Sequence, residues 1–186
     1  AYSVFANGGY LKKPYFIDKI IDSQGRKVKL SSALMNAEVP RIIDPRNAFI
    51  MTDMLKEVIN SGTARKAKRL KRNDIAGKTG TTNNLIDAWF AGYNPDIVTV
   101  TWMGFPQPKP LGDKETGSRA ALPIWIDYME PILEDYPIKM LVEPEGILPL
   151  KVKESDGTLA GPNEPGIYEY FYDEFLPKDN AYFMIN

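Results

Sequence analysis

The chain is 186 residues long, enough for one domain with a sizeable core, and at 44% hydrophobic and 25% charged it has the make-up of a globular protein. Its net charge of -1 argues against a nucleic-acid binder, whose phosphate contacts need a basic surplus. It contains neither cysteine nor histidine, which excludes thiol nucleophiles, disulfides, thiolate or imidazole metal sites and Ser-His-Asp chemistry, so any proton transfer must use lysine, carboxylates, tyrosine or water.

Apolar residues begin at once in Ala1-Tyr2-Ser3-Val4-Phe5-Ala6, and Asn7-Gly8-Gly9 reads as a helix C-cap. Ala1 is therefore expected to lie inside a helix, and the chain to be a fragment of a longer protein. Residues 15–21 read as a strand, Asp22-Ser23-Gln24-Gly25 as a turn and Lys27-Val28-Lys29-Leu30 as a return strand, which makes a β-hairpin. Asp44-Pro45 then supplies an N-cap and a first-turn proline. Met51, Met54, Leu55, Val58 and Ile59 set an apolar stripe on a helix over Pro45–Asn60, and Ser61-Gly62 ends it. Between Arg65 and Arg72 lie Lys66, Lys68, Arg69 and Lys71; the run reads as a solvated helix end or loop, with contact to a polyanion or membrane surface as the other reading.

Three short strands follow, over residues 74–81, 87–93 and 97–104, joined by turns at Asn83-Asn84 and Asn94-Pro95-Asp96. Turns this short favour antiparallel neighbours. In the third strand Val98, Val100 and Trp102 alternate with Thr99 and Thr101. A proline-rich loop, 106–110, leads to a second helix over residues 122–133 with Leu122, Trp125, Ile126, Met129 and Leu133 on its apolar side. Trp89, Trp102 and Trp125 are expected in the core. After residue 135 prolines punctuate the chain, and residues 136–186 read as an irregular tail with one candidate strand at 168–172. No apolar run reaches the roughly 18 residues of a membrane-spanning helix.

Two motifs compete at Ala76-Gly77-Lys78-Thr79-Gly80-Thr81-Thr82. A P-loop needs a glycine five positions before Gly77, where Arg72 stands, and a helix after it, where another strand is expected. The alternative is the lysine-threonine-glycine triplet of serine acyl-transfer enzymes that act on penicillins. Chemistry supports it: a lysine and hydroxyls on an edge strand can hold a substrate carboxylate. Gly80 lets an extended peptide approach and add on as a further strand, and the N–H after it can face a developing oxyanion.

Beyond the triplet, several stretches resemble class A, bifunctional penicillin-binding proteins. They are residues 1–9, Gly62-Thr63-Ala64, 77–82, Asp87-Ala88-Trp89-Phe90-Ala91-Gly92-Tyr93, Glu115-Thr116-Gly117 and Ala120-Ala121-Leu122-Pro123-Ile124-Trp125. The resemblance implies an α+β fold, an antiparallel sheet flanked by helices of the penicillin-binding/β-lactamase type, incomplete in this chain. Residues 1–135 would be the C-terminal portion of the transpeptidase domain and 136–186 the tail. It implies a D,D-transpeptidase that cross-links peptidoglycan stem peptides through a serine acyl-enzyme and is acylated by β-lactams, in a parent that is also a glycosyltransferase. Catalytic roles fall to Lys78 and Thr81, with the Thr81 N–H as half of an oxyanion hole. Lys78, Thr79, Gly80, Thr81 and Thr82 would bind substrate.

No serine of the chain stands in a serine-x-x-lysine or serine-x-asparagine arrangement, so the nucleophile and its base are expected upstream. Partners implied are stem peptides or a lipid-linked precursor, β-lactams, and an upstream segment completing the domain; no cofactor, metal or nucleic acid is called for. The implied location is periplasmic or otherwise outside the cytoplasmic membrane, with an upstream anchor. A D,D-carboxypeptidase or β-lactamase relative, and a non-catalytic penicillin sensor or scaffold, remain the alternatives.

Overall fold

A computed structural model describes residues 1–28 and 39–177. Helix α1 (Tyr2–Ala6) stops where the sequence puts its cap. The Gly9 N–H donates to the Val4 carbonyl at 2.7 Å and the Gly8 N–H to that of Phe5 at 3.3 Å, the paired bonds of a Schellman stop. Both glycines take positive φ, +77° and +107°, which side chains resist. The hairpin of β1 (Ile20–Ile21) and β2 (Lys27–Val28) is shorter than expected. Tyr15, Phe16 and Ile17 are exposed and belong to no strand, and Lys29-Leu30 lie outside the described residues.

Helix α2 (Pro45–Asn60) starts as predicted, with the Asp44 carboxylate accepting the Arg46 N–H. Its buried positions are Ala48, Thr52, Leu55 and Ile59. Met54, assigned to the apolar stripe, instead points outward and is 57% exposed, because the contact with the sheet follows the 48-52-55-59 ridge.

A three-stranded antiparallel sheet carries the centre of the fold: β3 (Ala76–Thr81), β4 (Ala88–Tyr93) and β5 (Val98–Met103), in spatial order β3-β4-β5. Gly77 pairs with Gly92 and Thr81 with Ala88. Helix α3 (Leu122–Glu134), entered through a π-helical turn at Gly117–Ala121, packs on one face of the sheet. All five apolar residues expected on α3 are buried. The Trp125 indole lies against Gly92, where a methyl group would have no room, and its N–H donates to the Thr99 carbonyl at 3.0 Å. The Phe90 ring meets it edge-on, with centroids 5.0 Å apart.

Of the three tryptophans expected in the core, only Trp125 is there. Trp89 and Trp102 are 42% and 47% exposed. They stand on the opposite sheet face with Val98 and Val100, beyond the part that α2 covers through Ala76 and Tyr93. The alternation in β5 is real, but its apolar side is the open one and Thr99, Thr101 and Met103 face α3.

The basic run is not simply solvated. Arg65–Leu70 form a 3-10 helix; Arg69 pairs with Asp127 and Glu130 of α3. Arg72 is nearly buried beside Asp74, at 2.7 Å, and also donates to the carbonyls of Leu133, Tyr136 and Pro137. The tail is more ordered than expected: the candidate strand is β7 (Ile167–Tyr172), and it pairs antiparallel with β6 (Ile147–Val152). Pro149 sits inside β6, which a two-stranded sheet tolerates because each strand keeps an open side. This hairpin rests on α2 through Phe49 against Tyr170 and through Arg46, which pairs with Glu174 and covers the Tyr172 ring.

Candidate active site

Strand β3 is an edge strand: it pairs with β4 and its other side is unpaired among the described residues. The Thr82 N–H donates to the Asp87 carbonyl at 3.1 Å, toward β4. Antiparallel alternation then turns the N–H and C=O of Gly80 and Lys78 toward β4 and those of Thr81 and Thr79 toward the open edge. The Lys78 ammonium reports that edge, donating to the Thr79 carbonyl at 3.0 Å. Gly77-Lys78 therefore lie within an antiparallel strand, and the P-loop reading falls.

Two glycines make the strand fit. At Gly77 a Cβ would stand 2.7 Å from the Phe90 ring and 2.8 Å from the Ala91 carbonyl. Gly80 borders the Trp89 side chain and leaves the strand bare between Thr79 and Thr81. Lys78 and Gly80 share the face of the exposed indoles; Thr79 and Thr81 share the face of α3 and its entry turn.

Each of those threonines has a partner from outside the strand. Beyond α2, Gly62 packs tightly over Val58 and returns the chain so that Thr63 reaches β3, its Oγ1 2.7 Å from the Thr79 Oγ1. The Gly117 N–H donates to the Thr81 Oγ1 at 3.0 Å. Gly117 is buried directly over the Gly80 and Trp89 carbonyls, where any side chain would overlap them. Neither partner is legible as such in the sequence. Thr63 and Gly117 sit in stretches that carry the family resemblance, but nothing local pairs positions 63 with 79 or 117 with 81.

Thr82 has a different setting. Its hydroxyl accepts the Asp87 N–H at 2.8 Å, closing the turn into β4. Asp87 in turn accepts the Trp102 indole N–H at 2.9 Å, which tilts that ring toward Trp89. No cluster of three or more histidine, cysteine, aspartate or glutamate side chains suited to a metal occurs among the described residues. A cavity of about 200 Å³ does lie between α2 and the tail, lined by Asp53, Asp74, Tyr93, Lys139 and Tyr170, but it contains none of residues 78–82. The arrangement at β3 is thus an open ledge. It offers a cation, two supported hydroxyls and an outward N–H, groups that can hold an anion and an oxyanion side by side.

Known proteins resemble this chain over most of its length. The family model for the penicillin binding protein transpeptidase domain matches residues 1–130, and the chain belongs to that family. Penicillin-binding protein 1A of Neisseria lactamica is 49% identical over 149 residues, covering 80% of this chain and 19% of that protein. Penicillin-binding protein 1A of Pseudomonas aeruginosa is 40% identical over 224 residues, covering 95% of this chain and 27% of the relative. The crystal structure of penicillin-binding protein 1A from Haemophilus influenzae superposes with a TM-score of 0.87 at 31% identity, over 95% of this chain and 31% of that one. The fold is accordingly the α+β transpeptidase fold, and the chain spans about a fifth to a third of the length of these relatives.

Proposed function

We propose that this chain is the carboxylate- and oxyanion-binding wall of a serine-type D,D-transpeptidase that cross-links peptidoglycan stem peptides and is acylated by β-lactams. The observation that carries the reading is the open edge of β3. There Lys78 and the hydroxyls of Thr79 and Thr81 surround the outward N–H of Thr81, in a chain that belongs to the transpeptidase family.

The division of labour follows from the groups. An acyl donor ending in a carboxylate lies along the edge as an added strand. Lys78 supplies positive potential, and the Thr79 and Thr81 hydroxyls donate to the carboxylate. Gly80 leaves room for the donor's backbone. As the serine oxygen bonds to the carbonyl carbon, the carbonyl oxygen gains charge and the Thr81 N–H donates to it; the C–N bond then breaks and the leaving amine takes the proton. Thr82 sets the end of the ledge through Asp87. The nucleophile and its base come from a segment upstream, since no serine here has the required lysine three positions on.

The bare apolar face formed by Trp89, Val100 and Trp102 supports such a companion segment, because a patch of that kind is covered in a finished domain. In the parent a glycosyltransferase would accompany this activity, on the outer side of the cytoplasmic membrane. Replacing Lys78 tests the reading. In the full-length protein Lys78→Ala is expected to slow acylation by benzylpenicillin by about a hundredfold, the effect of losing a charge-assisted contact in the transition state. An unchanged acylation rate would remove Lys78 from the site.

A further inference from the structure

We propose that Thr63 is a positioning residue of the site: its hydroxyl holds the Thr79 hydroxyl as a hydrogen-bond donor toward the substrate carboxylate, as the Gly117 N–H already does for Thr81. The proposal rests on the reading of β3 given above and extends it to residues off the strand.

A threonine hydroxyl has one proton to give, while a carboxylate only accepts. Each threonine on the ledge therefore binds the anion well only if its proton points at it and its oxygen lone pairs are satisfied from behind. For Thr81 this is fixed by the backbone: Gly117 has an N–H and no acceptor to offer there, so Thr81 can only receive from it, and its own proton stays free. Thr79 is paired with another hydroxyl, 2.7 Å away, and either oxygen can donate. Thr63 Oγ1 has no other hydrogen-bond partner among the described residues, so its proton is available to Thr79 once an anion draws the Thr79 proton outward. The result is two parallel relays, N–H to O–H to carboxylate and O–H to O–H to carboxylate. Hydrogen bonds chained in this way strengthen one another. Thr63 is held for the task by its neighbours: Gly62 turns the chain back over Val58, and buried Ala64 closes the loop by donating its N–H to the Val58 carbonyl at 3.0 Å.

The test measures second-order acylation of the full-length protein by benzylpenicillin and by its methyl ester, which has no charged carboxylate. Thr63→Val keeps the side-chain shape and removes the relay, Thr63→Ser keeps the hydroxyl, and Thr79→Val is the control on the strand itself. Thr63→Val is expected to lower the penicillin rate by about fivefold, the effect of one neutral hydrogen bond. The methyl-ester rate should change by less than about twofold, and Thr63→Ser should restore the penicillin rate. If Thr79→Val slows penicillin acylation and Thr63→Val does not, the relay is absent while the ledge stands. If Thr63→Val slows both ligands equally, Thr63 merely supports the loop and the proposal fails. Normal acylation by Thr79→Val would remove the reading of β3, and the relay with it.

Discussion

At Gly117 the backbone of three segments meets with no space left over. A Cβ there would overlap the carbonyl oxygens of Gly80 and Trp89, and both are main-chain atoms that cannot swing away. Gly117→Ala is therefore expected to cost about 1–3 kcal/mol of stability, the range for overpacking a tight contact. It should also push the entry turn of α3 off the strand, lengthen the N–H contact to Thr81 and slow penicillin acylation. Thermal unfolding and acylation kinetics of the variant check both halves; a stable variant with normal acylation would show that the turn has room to give. The sequence makes the Lys78-Thr79-Gly80-Thr81 ledge readable because its residues are contiguous and chemically unusual as a set. It leaves Thr63 and Gly117 unassigned because their roles are contacts made by folding, across gaps that no local pattern spans.

Strand β3 is tied down ahead of the ledge by the Arg72–Asp74 pair. Asp74 is fully buried, and besides Arg72 it accepts the Lys139 N–H at 3.1 Å. Burial pushes its carboxyl up, but the Arg72 and Lys139 hydrogen bonds outweigh this and hold it below the usual aspartate range. A depressed folded-state value means that the unfolded chain takes up the proton first as pH falls. The stabilisation is thus complete above an unfolded value of about 4 and is lost as pH drops through the lower folded value. Asp74→Asn is expected to cost about 3 kcal/mol at pH 7 by leaving the Arg72 guanidinium under-compensated, and to flatten the loss of stability below about pH 4. Melting curves of wild type and variant at pH 7 and pH 3 measure this; equal slopes with pH would show that Asp74 is not the group that titrates. In the sequence, Arg72 is the last of a basic run and reads as solvated. Its burial depends on the end of α3 and the residues just after it bringing the carbonyls of Leu133, Tyr136 and Pro137, 61 to 65 residues away. Element types were far more legible than element faces: α2, α3 and the three strands of the central sheet lie close to where periodicity and turn residues put them, whereas Met54 and Trp102 face outward.

For the molecule as a whole, the unusual property is a sheet with one finished face and one that the described residues cover only in part. The α3 side is closed by Trp125, Phe90 and Leu122; the other side is closed by α2 only as far as Ala76 and Tyr93. Burial there pushes the Tyr93 hydroxyl up to about 12, as its bond to Thr52 only partly compensates. Past that point, among the described residues, Lys78, Trp89, Val100 and Trp102 share an open surface beside an unpaired strand edge. Alternation in a strand reveals that one face is apolar and not what covers it, which is why the tryptophans read as core. The proposed site, built jointly by this chain and a companion segment, rests on the missing serine motif and the bare face. The most direct measurement is a crystal structure of the full-length protein acylated by benzylpenicillin. The acyl bond is expected on a serine outside these 186 residues, the penicillin carboxylate within hydrogen-bond distance of Thr79 Oγ1 and Thr81 Oγ1, and the ester carbonyl oxygen on the Thr81 N–H. An adduct on any serine of this chain, or a carboxylate seated away from the open edge of β3, would contradict it.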